Sequence, residues 1–455
     1  MSNCTSNINL DKKLEYKGYW YLPSNPTVKV AGILTYFPNE KIRLELFGSF
    51  KESLSYVLEN SEEPIIHGIT SDAKDITLIR CFQGANLNIS AEFPLIHYTC
   101  QCLLIGKHLQ SPDDKCFNKA HVRIPELSCW CPPHCVKESL LSNNSDLSFS
   151  CLSINANLAT DSAENLISEV GIDHNTNIRI KQSVNCAHTN FNQKLVIEQY
   201  TYIEICKNNV VSLKNILNDI CRYEEFLSLA TLNIVKCSEI TLYDDCTYDE
   251  YNGHRLCTPI YVICPIQERQ FLDNNEKSHE YLFTYTTIQE LYPRIIQHWY
   301  NATDELAPIR KHLIDSLERK RIYSSIDFLI IVQAIEGYWK RFKDESYVKT
   351  HKDSSEKKTQ NTSLKMLLTE LKREFDDVKI IHQIEIDFDA VVHSRHYYSH
   401  FMPAHEKPKK LEGWALIEIA RKLQLLLVCC VLSFVGFENS QIDSIFRNSN
   451  SKLLH

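Results

Sequence analysis

Glycine is scarce in this sequence, with 11 residues in 455, and no Gly-rich phosphate-binding loop is present. The Gly-x-Ser-x-Gly motif of α/β-hydrolases and the His-Glu-x-x-His motif of zinc proteases are missing as well. These absences argue against a nucleotide-binding fold, a hydrolase with a nucleophile elbow and a metalloprotease.

The sequence also lacks a long uninterrupted apolar run. The longest one, Leu423 to Phe437, contains Gln424, Ser433 and Gly436 and is shorter than the roughly 20 residues that cross a bilayer. We therefore predict a buried helix here and no membrane contact. The N-terminal residues do not combine a basic start with an apolar stretch, as a secretory signal does, so we expect a cytoplasmic protein.

Strong charge of either sign is absent too, since the formal net charge is only -8. The excess of acidic side chains lies within residues 1–300, whereas residues 301–455 carry slightly more Lys and Arg than Asp and Glu. A polyanion such as nucleic acid should therefore favour the C-terminal part, although charge alone makes this preference mild.

Cysteine, in contrast, is abundant, with 18 residues scattered through a long chain that has no export signal. We therefore expect reduced thiols. The segment CWCPPHC at 129–135 leaves zinc as a minor alternative, with Cys129, Cys131, His134 and Cys135 as the ligands. Cys-x-Cys spacing is unusual for a compact zinc site, so buried thiols are the favoured interpretation and no cofactor is expected.

The chain divides into a β-rich part and a helical part. From Tyr16 to Ile266, short β-prone runs such as KIRLELFG and PIYVICPI alternate with turn residues, with one helix expected at Leu213 to Leu232. The polar stretch 267–281 has no periodicity, and the pattern after it is helical. We predict an α+β protein of two domains: a sandwich-like β-rich domain over residues 1–280 and an all-α helical bundle over residues 281–455.

One predicted helix, Ile380 to Met402, carries a basic residue on its apolar face. It should end before Pro403, because proline disfavours helical geometry in the preceding residue. The apolar stripe consists of Ile381, Ile384, Phe388, Val391 and Val392. The same spacing places Arg395 on that face, where a permanent cation needs a partner or a catalytic role. His400 follows five residues later, about 140° around an ideal helix, so the two side chains should not share a face.

An earlier predicted helix, Ser324 to Lys343, carries Glu336 and Lys340 four residues apart, in the order that favours an ion pair. Two structural interpretations stay open at this point. In one, Glu336 and Lys340 form an ordinary surface pair. In the other, Glu336 pairs with Arg395 inside the bundle, and His400 caps its helix.

Two short motifs resemble a known family. RHYYSH, Arg395 to His400, resembles the Arg-x-x-x-x-His signature of HEPN ribonucleases, and EGYWK, Glu336 to Lys340, resembles the acidic-x-x-x-basic element of an earlier helix in many of them. The stretches ELYPRIIQHWY and FLIIVQAIEGYWKRF and the final apolar helix strengthen the likeness. With its β-rich N-terminal part and the LSCW stretch ending at Trp130, the chain resembles the ApeA proteins, bacterial anti-phage defence factors with a C-terminal HEPN domain.

The resemblance implies a metal-independent endoribonuclease, in which the ribose 2'-hydroxyl attacks the adjacent phosphate and leaves a 2',3'-cyclic phosphate. Arg395 and His400 would be catalytic, as the phosphate-binding cation and the proton relay. Glu336, Lys340 and His396 would support them, although His396 departs from the asparagine often found at its position.

The same resemblance implies an RNA substrate, with tRNA as one candidate, and a homodimer in which the catalytic HEPN helices meet. It also implies an unidentified phage trigger, sensed by the β-rich domain, and a role in abortive infection. The alternative from another functional class is a non-catalytic HEPN protein that binds RNA or dimerises, joined to a β-sandwich ligand-binding domain.

Overall fold

The computed structural model describes most of the chain in twelve ranges. They are residues 12–38, 40–50, 62–84, 94–142, 149–156, 165–189, 194–251, 254–264, 280–302, 306–318, 325–343 and 363–449. The chain forms two compact units that alternate along the sequence. The β unit comprises Met1–Ser128, Pro132–Cys221 and Lys236–Asp273, and the helical unit comprises Cys129–Cys131, Arg222–Val235 and Asn274–His455.

The described residues contain sixteen strands. In chain order they are β1 Leu14–Leu22, β2 Asn25–Tyr36, β3 Ile42–Phe47, β4 Glu62–Thr70, β5 Asp75–Gln83, β6 Leu95–Ile105, β7 Lys115–Arg123, β8 Val136–Ser142, β9 Phe149–Ala156, β10 Leu166–Gly171, β11 Thr176–Thr189, β12 Lys194–Ser212, β13 Glu239–Tyr243, β14 Tyr248–Tyr251, β15 His254–Cys257 and β16 Ile260–Ile263. Twelve of them form one sheet in the order β10-β11-β12-β7-β13-β16-β6-β3-β2-β1-β4-β5, and β5 also pairs with β6. The pairs β8-β9 and β14-β15 are separate hairpins.

The extra pairing of β5 with β6 closes six antiparallel strands, β1 to β6, into a barrel. The remaining strands of the sheet continue from β6 through β16. Side chains alternate in and out along the barrel strands, as the two-residue period of a strand requires. On β3, for example, Ile42, Leu44 and Leu46 are fully buried, while Arg43 is exposed. The predicted β-rich character is confirmed, and its closed barrel is an arrangement that the sandwich-like expectation did not specify.

The barrel core depends on a close approach between a glycine and a tryptophan. Trp20 on β1 is fully buried, and a Cβ atom added at Gly68 on the neighbouring strand β4 would overlap its indole ring. The absence of a side chain at Gly68 is therefore what allows the ring to lie flat against the strand.

We predict that Gly68→Ala lowers the free energy of unfolding by about 1–3 kcal/mol, because the added methyl group overpacks the core beside Trp20. The measurement is urea denaturation of the full chain. Gly84→Ala is the matched control, because its nearest neighbour beyond the adjacent residues, the carbonyl oxygen of His97, would lie 3.6 Å from the new Cβ. Equal unfolding midpoints for the two variants would contradict the packing argument.

A charged cluster lies within the extended part of the sheet. Glu204 on β12 is only 1% exposed and stands directly opposite His121 on β7 and Arg179 on β11. Its carboxylate oxygens lie 2.8 Å from His121 Nε2, 3.1 Å from Arg179 Nη1 and 3.4 Å from Lys181 Nζ. Burial alone would raise the pKa of Glu204, but the hydrogen bond and charge of His121, together with Arg179 and Lys181, hold that pKa well below its ordinary range.

Because the pKa of Glu204 is lowered in the folded state, its carboxylate stabilises the fold at pH values above the ordinary glutamate pKa of about 4.3. This stabilisation is lost as the pH falls from that value towards the folded-state pKa. We predict that Glu204→Gln costs about 3 kcal/mol at neutral pH, because it leaves Arg179 and Lys181 facing a neutral amide. Denaturation curves at several pH values should show the difference shrinking below about pH 4. Glu198→Gln on the same strand is the control, since Glu198 is exposed and pairs with Arg123 at the surface, so it should cost under about 1 kcal/mol. A Glu204→Gln penalty that does not change with pH would exclude this explanation.

The described residues contain eleven α-helices. They are α1 Pro125–Trp130, α2 Leu213–Thr231, α3 Tyr285–Ile288, α4 Tyr292–Asn301, α5 Ala307–Glu318, α6 Ser325–Phe342, α7 Leu364–Glu374, α8 Lys379–Gln383, α9 Phe388–His400, α10 Gly413–Phe434 and α11 Asn439–Asn448. The predicted helix at Leu213 to Leu232 and the helical C-terminal part are therefore confirmed, and with the β unit they confirm the α+β class.

The predicted buried apolar helix is the centre of the helical unit. Every residue of α10 from Leu423 to Leu432 is buried, including Cys429 and Cys430. Its one buried polar side chain in this stretch, Gln424, donates a hydrogen bond to Ser316 Oγ on α5 at 2.7 Å, so the amide is not left unpaired. No helix among the described residues combines the length and the apolar character that a membrane crossing requires.

Two segments from the first half of the chain complete the core of the helical unit. Trp130 is fully buried, with its ring centroid 5.8 Å from Phe226 and 5.7 Å from Tyr285. The indole of Trp299 donates to the carbonyl oxygen of Arg222 at 2.7 Å. The core of this unit therefore draws on residues that lie before the polar stretch 267–281.

The helix predicted from Ile380 to Met402 is wrong as a single element. The structure has α8 and α9 in its place, and residues between them are not helical. Asp387 accounts for the new start, because its carboxylate accepts hydrogen bonds from the backbone N–H groups of Asp389 and Ala390, both at 3.0 Å. An N-cap of this type satisfies donors that the interior of a continuous helix would pair with carbonyls.

Candidate catalytic site

The buried face of α9 fixes the position of the candidate catalytic residues. Ala390, Val391 and Ser394 are buried where α9 packs against α6 and α7. Arg395 comes directly after Ser394, so it lies at the edge of this contact, with its side chain 25% exposed. The guanidinium is therefore held by the bundle on one side and reaches solvent on the other.

Arg395 and His400 come together within one chain. Arg395 Nη1 lies 2.6 Å from His400 Nε2, and because a guanidinium can only donate, Nε2 accepts. The angular separation of about 140° expected for residues five apart does not keep them apart, because the long arginine side chain reaches along the last turn of the helix to His400, its final residue. This hydrogen bond requires the tautomer of His400 that carries its proton on Nδ1.

Glu336 on α6 is the carboxylate of the site. Its Oε2 lies 3.5 Å from Arg395 Nη2, and its side chain is 17% exposed. The structure therefore brings together Glu336, Arg395 and His400, with the arginine between the other two. Lys340 lies one turn further along α6 and is exposed, at the edge of this group.

His396 is the second histidine of the site. Its ring centroid lies 5.9 Å from that of His400, and the residue is half-buried. Burial lowers its pKa below the ordinary value of 6.5, and the nearby charges of Lys407 and Arg395 lower it further. His396 is therefore predominantly neutral at neutral pH, so it adds no permanent charge beside Arg395.

The segment that follows the motif is held against α9 by hydrogen bonds and an ion pair. The backbone N–H of Leu411 donates to Ser394 Oγ at 2.8 Å, and the hydroxyl of Tyr398 donates to the carbonyl oxygen of Leu411 at 2.9 Å. Lys409 forms an ion pair with Asp389 at 3.2 Å. These contacts hold the segment along α9, with Lys409 near the start of the helix and Lys407 close enough to His396 to lower its pKa.

This segment was not predicted from the sequence. A further member, Lys410, has its ammonium group 4.6 Å from the ring centroid of Tyr397. The signal was present in the sequence KPKK at 407–410, which closely follows the motif, but basic residues in a loop are more often simply solvated than part of a site.

The cysteines of the zinc alternative do not form a metal site in the structure. Among the described residues, no group of three or more His, Cys, Asp or Glu side chains is arranged to hold a metal ion. Burial raises the pKa of Cys131 to about 12, and the thiol of Cys135 donates to the carbonyl oxygen of Ser183. Both are buried protonated thiols, while Cys129 is half-buried. His134 takes part through its backbone N–H, which donates to the Gln182 side chain.

Comparison with protein families identifies both parts of the chain. Residues 15–299 match the family model of ApeA N-terminal domain 1, which covers more than half of the chain, and residues 329–441 match that of the Apea-like HEPN domain. All five candidate site residues of the helical unit lie within the second match. No curated protein and no solved structure matches the sequence.

The neutral state of His396 can be tested directly. We predict that NMR titration of the imidazole signals gives His396 a pKa below 6.5, and that Lys407→Ala moves it upwards, because that change removes a nearby positive charge. Lys379→Ala on α8 is the control and should leave the titration unchanged. A His396 pKa at or above 6.5, or one that Lys407→Ala does not move, contradicts the assigned electrostatics.

Proposed function

This chain belongs to the ApeA family, and we propose that it is an endoribonuclease of an anti-phage defence system, with Arg395 and His400 as its catalytic residues. The observation that carries the proposal is the 2.6 Å contact between Arg395 Nη1 and His400 Nε2 in one chain. It joins a permanent cation to a neutral imidazole, and cleavage of RNA at a phosphate needs both.

The proposed reaction starts when a phosphate of the RNA binds the guanidinium of Arg395. Competition for the guanidinium N–H groups frees His400 Nε2, which then removes the proton of the neighbouring ribose 2'-hydroxyl. The 2'-oxygen attacks phosphorus, the bond to the 5'-oxygen breaks, and that oxygen takes a proton from the imidazolium. The products are a 2',3'-cyclic phosphate and a 5'-hydroxyl, and no metal ion takes part.

The other residues of the site would act through these two. Glu336 keeps the guanidinium oriented from the bundle side and compensates part of its charge before RNA binds. His396, in its neutral form, can donate a hydrogen bond to a phosphate oxygen, as asparagine would at that position. Lys340 lies at the exposed edge, where it would contact the RNA backbone electrostatically.

The remaining features of the proposal come from the family. The protein would act in the cytoplasm as a homodimer that meets through its HEPN helices, with the β unit sensing a phage product and the helical unit cutting RNA, tRNA being one candidate. Cleavage of host RNA would then stop phage growth by abortive infection. Because Arg395 and His400 already meet within one chain, the dimer is not needed to bring this pair together.

One observation favours a non-catalytic alternative. The ion pair between Arg395 and Glu336 is of the kind that stabilises helical bundles with no catalytic function. In that case the HEPN domain would bind RNA or dimerise, and the β unit would bind a ligand.

We expect Arg395→Ala and His400→Ala each to reduce RNA cleavage at least about 100-fold, because one removes the charge that stabilises the transition state and the other the proton relay. The measurement is cleavage of total RNA by purified protein, with end analysis for cyclic phosphates. His382→Ala is the matched control, since His382 is an exposed histidine on the neighbouring helix α8. Excess EDTA should leave the rate unchanged.

Folding and oligomeric state, measured by circular dichroism and light scattering, keep the result interpretable. If His400→Ala cleaves as fast as wild type, the catalytic assignment is wrong. If wild type and variants all fold and dimerise but none cleaves RNA, with or without lysate from phage-infected cells, the non-catalytic alternative replaces the proposal.

A further inference from the structure

Phe401, the residue that ends α9, has an unfavourable conformation and an unfavourable environment. Its backbone is left-handed, with φ 52° and ψ 37°. Helices often end this way, but usually with glycine, because a side chain at this conformation meets the backbone. The ring is also 89% exposed, more than any other large apolar side chain in the described residues. Neither packing nor backbone preference accounts for phenylalanine here.

The location of Phe401 connects it with the candidate catalytic pair. It follows His400 directly, so the two Cα atoms are about 3.8 Å apart. Backbone strain of this kind clusters at functional sites, and the observation of an outlier is the proper starting point for a functional hypothesis. A ring on the residue next to His400 is placed to contact whatever reacts there.

A second exposed aromatic side chain lies at the other end of the basic segment, which we define as residues 401–414. Trp414 is 83% exposed and follows Gly413, which also has a positive φ of 56°. Between the two aromatic residues lie Lys407, Lys409 and Lys410, and contacts with α9 hold the last two in place. The segment thus has aromatic side chains at its ends and cations in its middle.

This combination fits one kind of ligand better than another. Single-stranded nucleic acid presents flat bases that stack on aromatic rings and phosphates that bind cations. A second copy of this chain is the other ligand to consider, and charge does not decide between the two, because Lys409 pairs with Asp389 and Lys410 pairs with Glu412. Because Phe401 adjoins His400, where the RNA must bind in the proposed reaction, the ligand that this segment fits best is RNA with unpaired bases.

We propose that Phe401 stacks on an unpaired nucleobase next to the scissile phosphate, which makes the substrate of this site single-stranded RNA or an unpaired loop. The inference rests on the proposed ribonuclease function, and it adds a residue that determines substrate structure. Trp414 and the lysines of the basic segment extend the contact along the strand.

The test measures binding and turnover separately. Binding uses full-length His400→Ala protein and a fluorescent oligouridylate, so that the probe is not cut. Phe401→Ala in this background should weaken binding about tenfold or more, the loss expected when one stacked base loses its aromatic partner. Phe401→Tyr, which keeps the ring, should restore binding. In the active protein, Phe401→Ala should raise KM more than it lowers kcat.

A base-free probe identifies the stacked partner. When abasic nucleotides replace the uridines one at a time, one position should weaken the binding of the parent protein while leaving Phe401→Ala unaffected. Ile326→Ala is the matched control, since Ile326 is an apolar residue 57% exposed on α6, about 15 Å along the helix from Glu336.

Each outcome bears on the inference alone. If Phe401→Ala binds RNA as well as its parent, the stacking role is wrong. The same holds if an abasic nucleotide weakens the binding of the parent and of Phe401→Ala equally at every position. If Phe401→Ala changes the oligomeric state and not RNA binding, the ring belongs to an interface with a second copy. The proposed function is contradicted by a different result, namely that the wild type does not cleave RNA. The binding measurements do not depend on that result.

Discussion

Arg395 cannot lose its charge, so the helical unit must give its guanidinium partners wherever the fold leaves it. The buried face of α9 places this residue at the edge of the bundle, where protein covers most of its side chain and about a quarter of it is exposed to water. Glu336 approaches from the bundle side, and the Nε2 lone pair of His400 approaches from the end of the helix. The orientation of the Glu336 carboxylate and the tautomer of the His400 imidazole both depend on this one cation.

A comparison with the charged cluster of the β unit shows why the two groups of charges differ in their capacity to bind a ligand. Glu204 is almost completely buried, and three basic side chains use both of its oxygens. Because both oxygens of the Glu204 carboxylate already have basic partners, this group has little capacity to bind a ligand. Arg395 has five N–H donors, of which contacts within the described residues use two. The remaining donors and the partial exposure leave it able to bind an anion.

Much of this structure could be predicted from the sequence, because some of its features depend on local pattern alone. The apolar run from Leu423 to Phe437 predicted a buried helix, and the repeated β-prone segments predicted a β-rich part. The break before α9 was missed because apolar spacing continues through Ile381, Ile384 and Phe388, although Asp387 is a typical N-cap residue. The closure of the barrel was beyond reach, since it depends on pairing between β5 and β6 that no local pattern specifies.

The candidate site also has features that the sequence predicted and features that it did not. The resemblance of two motifs to HEPN ribonucleases pointed to Glu336, Arg395 and His400, but a helical projection treats side chains as points on a cylinder. The projection therefore placed Arg395 and His400 apart, although the arginine side chain is long enough to reach His400. The basic segment was missed for another reason: its lysines acquire a site only through tertiary contacts such as the hydrogen bond from Leu411 to Ser394.

The interleaving of the two units has a consequence for the biology of such a protein. The core of the helical unit contains Trp130 and Phe226, which the ribosome makes long before α9 emerges. A fragment that begins after residue 280, whether made by internal initiation or by a protease, would lack both of these buried rings. Large voids of this kind destabilise a domain by several kcal/mol. The part that carries Arg395 and His400 is thus poorly suited to fold without the part that precedes it, and any activity of the helical unit is tied to synthesis of the whole chain.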